Sequence, residues 1–518
     1  MLCDEILALS GKAAHFLKNE SLRYKKGAVN LMRTATLTSH DVAATETAAS
    51  RGESSRPTGA TAAAGYEVRK LSGWGRFPTA TCHVYRPEKC SALSALLASG
   101  AEPSYIARGM GRSYGDAAIN AGGGVVTQER LNRFLSFDPE TGILECEAGV
   151  TYAEIIEHML PRGFFPPVTP GTKFVSVGGA IAADVHGKNH HRDGSFGNFI
   201  LSLDLLTGTG ETLRCSPHMN APVFWATVGG MGLTGIILRA RLWLRRVETA
   251  AIAVSYHKAR NLEQALAGMA AGDAGCQYSV AWIDCLARGR SLGRSILMRG
   301  NHATVAALPR PAQTGLEPPP PPKLNVPFDL PPFALNPWSV RAFNALYYAL
   351  HREAASRFVQ IDPFFYPLDK IAHWNRLYGR RGFVQYQAAV PFARGEEALT
   401  AILYRLSSTR RASFLAVLKR FGAGNEGLLS FPMPGYTLAM DIPYDSGLSS
   451  FLHELDDTVM AYGGRIYLAK DSLQTPETFA AGYPRLGEFQ AIQKELDPRG
   501  IFSSSLARRL KIVPGGLR

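Results

Sequence analysis

Three glycine-rich segments dominate the first half of this chain, and strand-like patterns separate them. They lie at residues 108–116 (RGMGRSYGD), 175–191 (VSVGGAIAADVHGKNHH) and 229–237 (GGMGLTGII). Because glycine has no Cβ, such a backbone approaches a ligand closely and points N–H groups at anionic oxygens. One loop of this kind is usually a turn, whereas three that alternate with strands predict a bound dinucleotide.

The third segment contains the G-x-G-x-x-G pattern of nicotinamide-binding Rossmann folds at Gly230, Gly232 and Gly235. That motif functions where it follows a strand and opens a helix whose N-terminus holds the pyrophosphate. Here the helix-like PVFWATV precedes the glycines, a β-run over residues 236–244 follows them, and no Asp or Glu stands about 20 residues after the last glycine. The sequence therefore excludes NAD on a Rossmann fold.

The composition is that of a globular chain: of 518 residues, 46% are hydrophobic and 19% are charged. The longest uncharged run, residues 215–238, is broken by prolines and glycines and does not predict a membrane span. The N-terminus carries Asp4 and Glu5 where a signal peptide has Lys or Arg, so no export signal is expected. Helix and strand patterns are mixed along the chain, which predicts the α+β class.

The chain is basic, with 56 Lys and Arg against 43 Asp and Glu, a formal net charge of +13. This excess favours an anionic ligand or an anionic membrane surface. The cations lack the clustering with aromatic residues that nucleic-acid binding requires, so no nucleic acid is expected. One cationic stretch fits either phosphate contacts or a solvated face; it comprises Arg288, Arg290, Arg294, Arg299 and Arg310.

The cysteines are odd in number and form no CxxC pair, which fits neither a zinc site nor a disulfide framework. We expect reduced thiols, no metal, and a cytoplasmic or cytoplasm-facing protein. The seven are Cys3, Cys82, Cys90, Cys146, Cys215, Cys276 and Cys285.

Local patterns predict several elements. TGILECEAGV alternates like a strand, and Thr151 with Glu154 forms a capping box that starts a helix ending at Gly163. Between residues 247 and 464, NLEQALAGMAA and EEALTAILYRL predict helices, whereas GFVQYQAAV and YTLAMDIPY predict strands. The proline tract at residues 318–332 is expected to join no ladder and to form an exposed, mobile loop or lid. SSLARRLKIV predicts a basic C-terminal helix.

Five strings carry a resemblance to a known family: SGWGRFP, IARGMGRSYGD, TPGTKFVSVGGAIAADVHGKNHHRDGSFGN, FWATVGGMGLTGII and YLAKDS. They resemble the FAD-dependent oxidases of the vanillyl-alcohol oxidase superfamily, and within it the decaprenylphosphoryl-β-D-ribose 2-oxidase family. The likeness runs from about Leu71 to Leu510, and HGKNHH and YLAKDS are specific to that branch.

The resemblance implies an α+β architecture: a two-part FAD-binding domain of the vanillyl-alcohol oxidase type with an inserted antiparallel-sheet substrate domain. The FAD-binding parts are expected at residues 66–248 and 465–518. The substrate domain is expected at residues 249–464, with a mobile proline-rich loop at about 305–335. Residues 1–65, rich in Ala, Ser and Thr, are expected to be a disordered extension outside the family likeness.

The resemblance places the FAD pyrophosphate on the first glycine-rich segment. Covalent members carry His in the pattern R-G-x-G-H-S, whereas this chain has Arg112 there, so FAD is expected to be non-covalent. Arg112 either offsets phosphate charge or forms an internal salt bridge. The residues expected to line the cofactor are Arg108, Gly109, Met110, Gly111, Arg112, Ser113, Tyr114, Gly115, Asp116, Gly171, Val177, Gly178, Gly179, Asp184, His186, Ile237 and Tyr467.

Two residues are expected to be catalytic. Oxidising a secondary alcohol needs a base for the hydroxyl proton and a positive charge near the reduced flavin. The resemblance gives these tasks to Lys470, in YLAKDS, and places His186 near the flavin ring. The alternatives are a surface lysine after a strand and an ordinary core histidine.

Further positions are expected to bind substrate. Lys188 and Lys419 would hold a lipid-linked phosphate, since an ammonium serves as a point charge for that group. Gln385 and Gln387 alternate with Tyr386 on a predicted strand, so both amides face one side and can address sugar hydroxyls.

The resemblance also assigns pocket-lining positions, two of which depart from the family pattern. Better-known members carry Cys where this chain has Ala439, and Tyr is often found where Phe365 stands. As plain core residues, the aromatic members of this set would look the same. The set is Trp282, Phe365, Trp374 and Ala439.

The implied activity is oxidation of the C2 hydroxyl of a polyprenylphosphoryl-β-D-ribose to a 2-keto sugar. A separate NAD(P)H-dependent reductase would complete an epimerisation that supplies cell-wall arabinan. The expected location is cytoplasmic or peripheral on the inner membrane, with the cell-envelope side left open. Two alternatives remain: an alditol or aldonolactone oxidase acting on a soluble sugar, and a flavin-binding scaffold without turnover.

Overall fold

The predicted strand in TGILECEAGV is present as Ile143–Glu147, and the capping box starts the helix Tyr152–Met159. The Thr151 hydroxyl accepts a hydrogen bond from the Glu154 main-chain N–H, and the Glu154 carboxylate accepts one from the N–H of Thr151. These elements belong to a computed structural model that describes residues 65–309, 315–319, 324–331, 336–411, 413 and 415–513. Except for Gly65, the predicted disordered extension at residues 1–65 lies outside the described residues.

Two sheets form from residues 67–243. In the first sheet, one pair of neighbouring strands is antiparallel and two pairs are parallel. The strand at one edge of this sheet ends at Arg108, where the first glycine-rich segment begins. The second sheet is antiparallel throughout. In spatial order the first sheet contains Glu67–Ser72, Thr79–Tyr85, Gly124–Thr127 and Tyr105–Arg108, and the second contains Phe134–Asp138, Ile143–Glu147, Ile236–Trp243, Ile200–Leu206 and Thr212–Cys215.

An eight-stranded antiparallel sheet, here called the large sheet, forms from residues 251–466. An antiparallel sheet is what the sequence predicted for this region. Its edge strand Arg465–Ile466 lies just beyond the boundary predicted at 464, so the start of the predicted C-terminal part belongs to this sheet. Its strands, in spatial order, are Ala354–Gln360, Ala251–Ala259, Ser295–His302, Tyr278–Ile283, Ala416–Phe421, Gly435–Pro443, Phe383–Pro391 and Arg465–Ile466.

Short strand pairs and helices complete the part of the fold that the structure describes. The pairs are Phe164–Phe165 with Arg245–Arg246, and Leu324–Asn325 with Ile371–Ala372. The α-helices are Cys90–Ser99, Tyr152–Met159, Val177–Ala182, His190–Asp193, Ala221–Thr227, Leu262–Gly272, Pro337–Leu350, Ile361–Phe365, Gly395–Thr409, Leu448–Ala461, Pro476–Gly482, Leu486–Leu496 and Ser505–Arg509. The 3₁₀ helices are Leu160–Arg162, Phe196–Phe199, Asp273–Gly275, Gly289–Ser291, Val305–Ala307, Trp374–Tyr378 and Phe392–Arg394.

The C-terminal segment packs back onto the first sheet. The Tyr105 N–H donates to the Ile501 carbonyl at 2.6 Å, and the Ser503 N–H donates to the Tyr105 carbonyl at 3.0 Å. The predicted basic helix is shorter than SSLARRLKIV, because Lys511 adopts a left-handed φ of +52° beyond its end at Arg509. The described residues from Gly65 onwards belong to one compact unit, so the division into two domains stays a prediction.

The proline tract differs from its prediction. Leu324 and Asn325 join a parallel ladder with the strand at residues 371–372, and the Val326 N–H donates to the Ala372 carbonyl at 3.0 Å. The expectation that this tract joins no ladder is therefore wrong. The reason is that the non-proline residues between the prolines keep N–H groups that can pair.

Six of the seven cysteines lie in the described part of the chain, where they are free thiols and all but Cys90 are buried. Among the residues described, no helix has the length and hydropathy needed to cross a bilayer. In the same residues, no group of three or more His, Cys, Asp or Glu side chains is arranged to hold a metal ion.

Candidate functional site

One row of side chains crosses four strands of the large sheet. The register pairs Trp282 with Val417, Val417 with Ala439, and Ala439 with Gln387. Directly paired residues of antiparallel strands point to the same face, so these four lie side by side. We call this side of the large sheet the site face.

Residues two positions along the same strands share the site face. Lys419 pairs with Thr437 on one side of the row, and Gln385 pairs with Asp441 on the other. The prediction that Gln385 and Gln387 face the same side is thereby confirmed. Tyr386 points the opposite way, where its hydroxyl donates to the Asp456 carboxylate at 3.0 Å.

His186 is buried against this face. Its Nε2 lies 3.0 Å from the Gln387 amide nitrogen, and its Nδ1 lies 3.2 Å from the Lys419 ammonium nitrogen. The same Gln387 nitrogen donates to the Thr437 hydroxyl at 3.1 Å, which orients the amide so that Nε2 accepts. Burial, together with Lys419 and other nearby cations, holds the pKa of His186 well below its usual value. The imidazole is therefore neutral.

Lys470 lies at the opposite end of the site, in a tight turn. Its main-chain N–H donates to the Tyr467 carbonyl at 2.9 Å, and its Nζ lies 3.9 Å from the Tyr114 ring centroid. Burial lowers its pKa from 10.5 to about 7, and the Asp441 carboxylate opposes that decrease. Lys470 is half-buried, and its catalytic role stays a prediction.

The first glycine-rich segment and the Lys470 turn are fastened to each other. The Tyr114 N–H donates to the Ala469 carbonyl at 2.9 Å. A Cβ on Gly115 would lie 1.8 Å from the Asp471 carbonyl oxygen, so only glycine allows this approach. Arg509 from the last helix forms ion pairs with Asp116 at 2.7 Å and with Asp471 at 2.9 Å. The Asp116 carboxylate is thus paired with Arg509, and this ion pair helps to hold the first glycine-rich segment against the Lys470 turn.

Three lysines share an uncommon environment. Burial lowers the pKa of Lys188, Lys419 and Lys470 to about 7 in each case. Lys188 donates to the Phe364 carbonyl and lies 4.4 Å from the Phe364 ring centroid. Within the described part of the chain, none of the three has a carboxylate within 4 Å. All three lysines are half-buried, and ammonium groups withdrawn from water without a counter-charge are costly, so an anionic ligand would relieve that cost.

The first glycine-rich segment offers main-chain amides. In the part of the chain that the structure describes, the N–H groups of residues 110–113 donate to no protein acceptor. A Cβ on Gly109 would lie 2.0 Å from the Ser176 hydroxyl oxygen, and Gly111 adopts a φ of +61°. Met110 is exposed and Ser113 is half-buried. Consecutive free amides of this kind form a concavity that suits phosphate oxygens.

The two arginines of this segment serve different purposes. Arg108 donates to the Ala118 and Ser72 carbonyls at 2.9 and 2.8 Å, so its guanidinium holds the loop. The Arg112 guanidinium lies 4.0 Å from the Trp74 ring centroid and 5.3 Å from that of Phe174. Among the described residues it forms no ion pair within 4 Å and its Nε has no partner. The internal salt bridge considered for Arg112 is therefore not formed.

The second glycine-rich segment is more closed than predicted. Asp184 is fully buried and accepts from the Ser195 hydroxyl at 2.8 Å, the Gly197 N–H at 2.9 Å and the Asn425 amide at 2.9 Å. Its carboxylate is saturated by protein donors, and its contact with a cofactor stays a prediction. By contrast, a Cβ on Gly171 would meet no atom within 4 Å.

Other predicted lining positions pack closely within the protein. Val177 and Ile237 are buried, and the Ile237 carbonyl accepts from the Gln128 amide at 2.7 Å. Tyr467 stacks on Phe431 with centroids 4.6 Å apart, and its hydroxyl donates to the Ala183 carbonyl at 2.7 Å. Gly178 and Gly179 lie at the start of the helix Val177–Ala182. Their contact with a cofactor stays a prediction.

The third glycine-rich segment supports the second and presents few amides of its own. The Gly229 and Met231 N–H groups donate to the Ile181 and Ala182 carbonyls at 3.0 and 2.8 Å. The helix Ala221–Thr227 precedes this segment and the strand Ile236–Trp243 follows it. The exclusion of a Rossmann motif is confirmed, because the helix and strand have the reverse order.

The predicted aromatic positions are all buried. Trp282 packs against Tyr347 with ring centroids 4.8 Å apart, at the outer end of the row. Trp374 packs against Trp74 at 5.8 Å, beside the Arg112 contact. Phe365 lies in a buried cluster with aromatic neighbours and is 1% exposed, so it has the surroundings of a core residue.

Sequence reasoning missed Asp441. This carboxyl is fully buried, accepts from the Gln385 amide at 2.5 Å, and leaves its Oδ2 without a partner among the described residues. Burial raises its pKa from 3.8 to about 7, against the effects of Gln385 and Lys470. The alternation of YTLAMDIPY was the available signal, since it puts Asp441 on the same side as Ala439.

At one end of the site face lie the Lys470 amine and the buried Asp441 carboxyl. At the other end lie the ammonium groups of Lys188 and Lys419, and side-chain amides lie between the two ends. This arrangement suits a polyhydroxylated, phosphorylated substrate that loses a proton.

Two family models match the chain in the regions that build the site. The FAD-binding-domain model matches residues 83–216, which contain the first two glycine-rich segments, and a D-arabinono-1,4-lactone oxidase model matches residues 368–510.

Curated proteins give longer matches. The decaprenylphosphoryl-β-D-ribose oxidase of Mycolicibacterium smegmatis is 40% identical over 452 residues, which cover 86% of this chain and 98% of that protein. An uncharacterized protein of Streptomyces coelicolor is 38% identical over 370 residues, 70% of this chain and 100% of that protein. Cytokinin dehydrogenase 4 of Arabidopsis thaliana is 31% identical over 150 residues, 28% of either chain.

Proposed function

Since the chain belongs to the decaprenylphosphoryl-β-D-ribose oxidase family of FAD-dependent oxidoreductases, we propose that it oxidises the C2 hydroxyl of a polyprenylphosphoryl-β-D-ribose to a 2-keto sugar. One observation carries the proposal: the site face holds Lys470 beside Asp441 and Gln385 at one end, and Lys419 beside His186 at the other. A phosphorylated sugar has a hydroxyl proton that a base has to remove and an anionic group to anchor, and this pattern serves both.

The cofactor side of the proposal rests on the first glycine-rich segment. Bound FAD supplies the acceptor for the hydride that leaves the sugar carbon. The free amides of residues 110–113 fit its phosphates, and Arg112 adds a positive charge that no carboxylate within 4 Å neutralises among the described residues. Because arginine forms no histidyl-type link, the flavin is held without a covalent bond.

Lys470 accepts the hydroxyl proton at Nζ in this proposal. A lysine whose pKa lies at about 7 is partly neutral at physiological pH and can take a proton, unlike an exposed lysine. Gln385 and Gln387 hold sugar hydroxyls from one face, since their strand positions direct both amides to the same side. His186, which is neutral and held by Gln387, positions the sugar and carries no charge of its own.

Lys188 and Lys419 bind the lipid-linked phosphate. Each is half-buried without a carboxylate within 4 Å among the described residues, so an incoming phosphate would supply the missing counter-charge. Binding of the phosphodiester anion favours the protonated amine, and phosphate affinity should therefore decrease as the pH rises through about 7.

The proposal extends to partners and place of action. The 2-keto product needs a reductase that uses NAD(P)H to give the arabinose form, the second half of an epimerisation for cell-wall arabinan. A polyprenyl chain partitions into a bilayer, so the protein works as a peripheral protein at a membrane surface, on the cytoplasmic side of the inner membrane or on the cell-envelope side.

A second candidate function is oxidation of a soluble aldonolactone or alditol. The match of residues 368–510 to the D-arabinono-1,4-lactone oxidase model favours it. Relatives of that kind tend to carry an H-W-x-K-like string near the C-terminus, whereas this chain has Y-L-A-K at residues 467–470.

Flavin reduction under anaerobic conditions tests the proposal. Purified protein should be yellow, and acid precipitation should release the flavin into the supernatant. A short-chain, water-soluble polyprenylphosphoryl-β-D-ribose should bleach the flavin absorbance, whereas the 2-deoxy analogue, an alditol and an aldonolactone should not. Bleaching by the aldonolactone alone would favour the second function, and bleaching by none of these sugars would favour a scaffold without turnover.

A further inference from the structure

The helix Pro337–Leu350 lies on the site face, at the outer end of the row of side chains. Its Tyr347 ring packs against Trp282 at 4.8 Å. The Asn344 amide donates to the Asp284 carboxylate at 2.8 Å, just after the strand that carries Trp282. The inner side of this helix is therefore anchored beside the candidate substrate site.

The outer side of the same helix is apolar and uncovered. Trp338, Leu346 and Leu350 are 73%, 51% and 50% exposed. The alanines at residues 342, 345 and 349 are exposed as well and continue the stripe at helical spacing. The helix contains no Asp or Glu, and Arg341 is its one charged residue. An exposed apolar patch of this kind marks an interaction surface.

Cations border the C-terminal half of this helix. Lys258 Nζ lies 4.4 Å from the Tyr348 ring centroid, and the Arg294 guanidinium lies 5.0 Å from it. Arg260 and Arg357 are exposed nearby and contribute positive potential at Tyr348 and His351 respectively. Glu353 is the exposed acidic residue that acts on the same tyrosine, so positive charge predominates at this border.

We infer that the exposed face of the helix Pro337–Leu350, with its basic border, is the surface by which the protein sits on an anionic lipid bilayer. An interfacial helix of this type buries apolar side chains at the headgroup boundary while cations meet anionic lipids. The inference rests on the proposed function, because a polyprenyl-anchored substrate has to be drawn from a bilayer. The contact between Tyr347 and Trp282 places this helix directly beside the row.

A second copy of this chain fits the surface less well. Two molecules with a formal net charge of +13 repel each other, and the basic borders would meet. A helix of 14 residues is about 21 Å long and presents three large apolar side chains, which is small beside the ~800 Å² that each partner buries in a stable interface. A bilayer sets no such minimum area.

Vesicle sedimentation tests the inference with the FAD-loaded full chain and no substrate. Vesicles of phosphatidylcholine alone are compared with vesicles containing about one third phosphatidylglycerol. The variant W338S/L346Q/L350Q removes the apolar face, and L135Q/Y404S is the matched control, since those two side chains are exposed on other elements. We expect the wild type and the control to bind the anionic vesicles, and the triple variant to bind at least ten-fold more weakly.

The inference is overturned if the wild type fails to bind anionic vesicles or if the triple variant binds as well as the wild type. A wild-type dimer that the triple variant loses, seen by analytical ultracentrifugation without vesicle binding, would instead assign the face to a second copy. Should the triple variant fail to fold, W338S alone is expected to reduce binding measurably. Flavin bleaching by the short-chain soluble substrate, measured in parallel, separates the two hypotheses. Turnover without vesicle binding would reject only the membrane-binding role of this helix. Vesicle binding without turnover would reject only the proposed function.

Discussion

The Gln385 amide donates a 2.5 Å hydrogen bond to the Asp441 carboxylate across two neighbouring strands of the large sheet. The same carboxylate opposes the decrease that burial causes in the pKa of Lys470. Gln385 also acts on the Tyr114 hydroxyl, beneath the Lys470 ammonium. These four side chains therefore form one coupled group at the end of the site face where a proton has to be accepted.

Asp441→Asn should shift the acidic limb of the pH profile of kcat/KM to lower pH. Lys470 has to be neutral to accept a proton, and the Asp441 carboxylate raises its pKa, so removing that charge lowers the pKa further. Stopped-flow flavin reduction between pH 5 and 9 measures the limb. Asp456→Asn is the matched control, because Asp456 is a buried carboxyl on the opposite face of the same sheet. An unchanged limb, or one that moves to higher pH, would contradict the coupling.

Lys470→Ala should keep FAD and lose most turnover. General-base assistance typically contributes 10²–10⁴-fold, so a decrease in the flavin reduction rate of about this size is expected. Lys470→Arg keeps the positive charge but holds its proton, and it should be nearly as slow as the alanine variant. The flavin content is read from the visible absorbance of each purified variant. Full activity in Lys470→Ala would remove this residue from the mechanism.

Lys419→Met should make the substrate-free protein more stable near neutral pH. Burial lowers the Lys419 pKa from 10.5 to about 7, so the unfolded chain binds more protons than the folded one between these values. The resulting penalty is fully present below about pH 7 and disappears as the pH rises towards 10.5. We expect a Tm higher by about 2 °C at pH 6.5, a gap that narrows by pH 9.5, and weaker substrate binding.

Thermal denaturation of Lys494→Met provides the comparison for this effect, because Lys494 is exposed on the helix Leu486–Leu496. That variant should show no gap that depends on pH in this way. A Lys419→Met protein that is less stable than the wild type at pH 6.5 would show that the ammonium is already paired in the folded state.

Ala439→Cys should create a site for covalent attachment. Ala439 is 5% exposed and stands between Val417 and Gln387 on the site face, so an electrophilic substrate analogue bound there meets no thiol in the wild type. Mass spectrometry of the treated protein, followed by peptide mapping, should find an adduct at residue 439 in the variant alone. An active-site adduct in the wild type, at any of its own cysteines, would contradict this prediction.

Some parts of the fold could be predicted because they depend on neighbours in sequence. The capping box at Thr151, the strand that carries Gln385 and Gln387, and the order of helix and strand around Gly232 are all local. The site was harder to predict from pattern alone. The roles predicted for three lysines, Lys188, Lys419 and Lys470, came from a family resemblance. The sequence alone does not reveal that burial lowers the pKa of each to about 7.

Two features were decided by residues distant in sequence. The proline tract was expected to pair with nothing, but its non-proline residues keep N–H groups, and a strand near residue 371 happens to lie within reach of Leu324. Asp184 was expected in the cofactor lining, whereas Ser195 and Asn425 enclose its carboxylate from elsewhere in the chain. In both cases the deciding partner is distant in sequence.

The amino-acid sequence by itself determined the short-range features: where glycine allows unusual backbone angles, where apolar and polar residues alternate along strands, and the presence of Arg112 where covalent family members carry histidine. Only the tertiary structure decided which charges meet. Asp441 affects Lys470 because an antiparallel register and a distant turn bring them together. Arg509 links that turn to Asp116, which lies 393 positions earlier in the sequence. Electrostatic energy depends on distance and on burial in space, and neither is written in the spacing of residues along a chain.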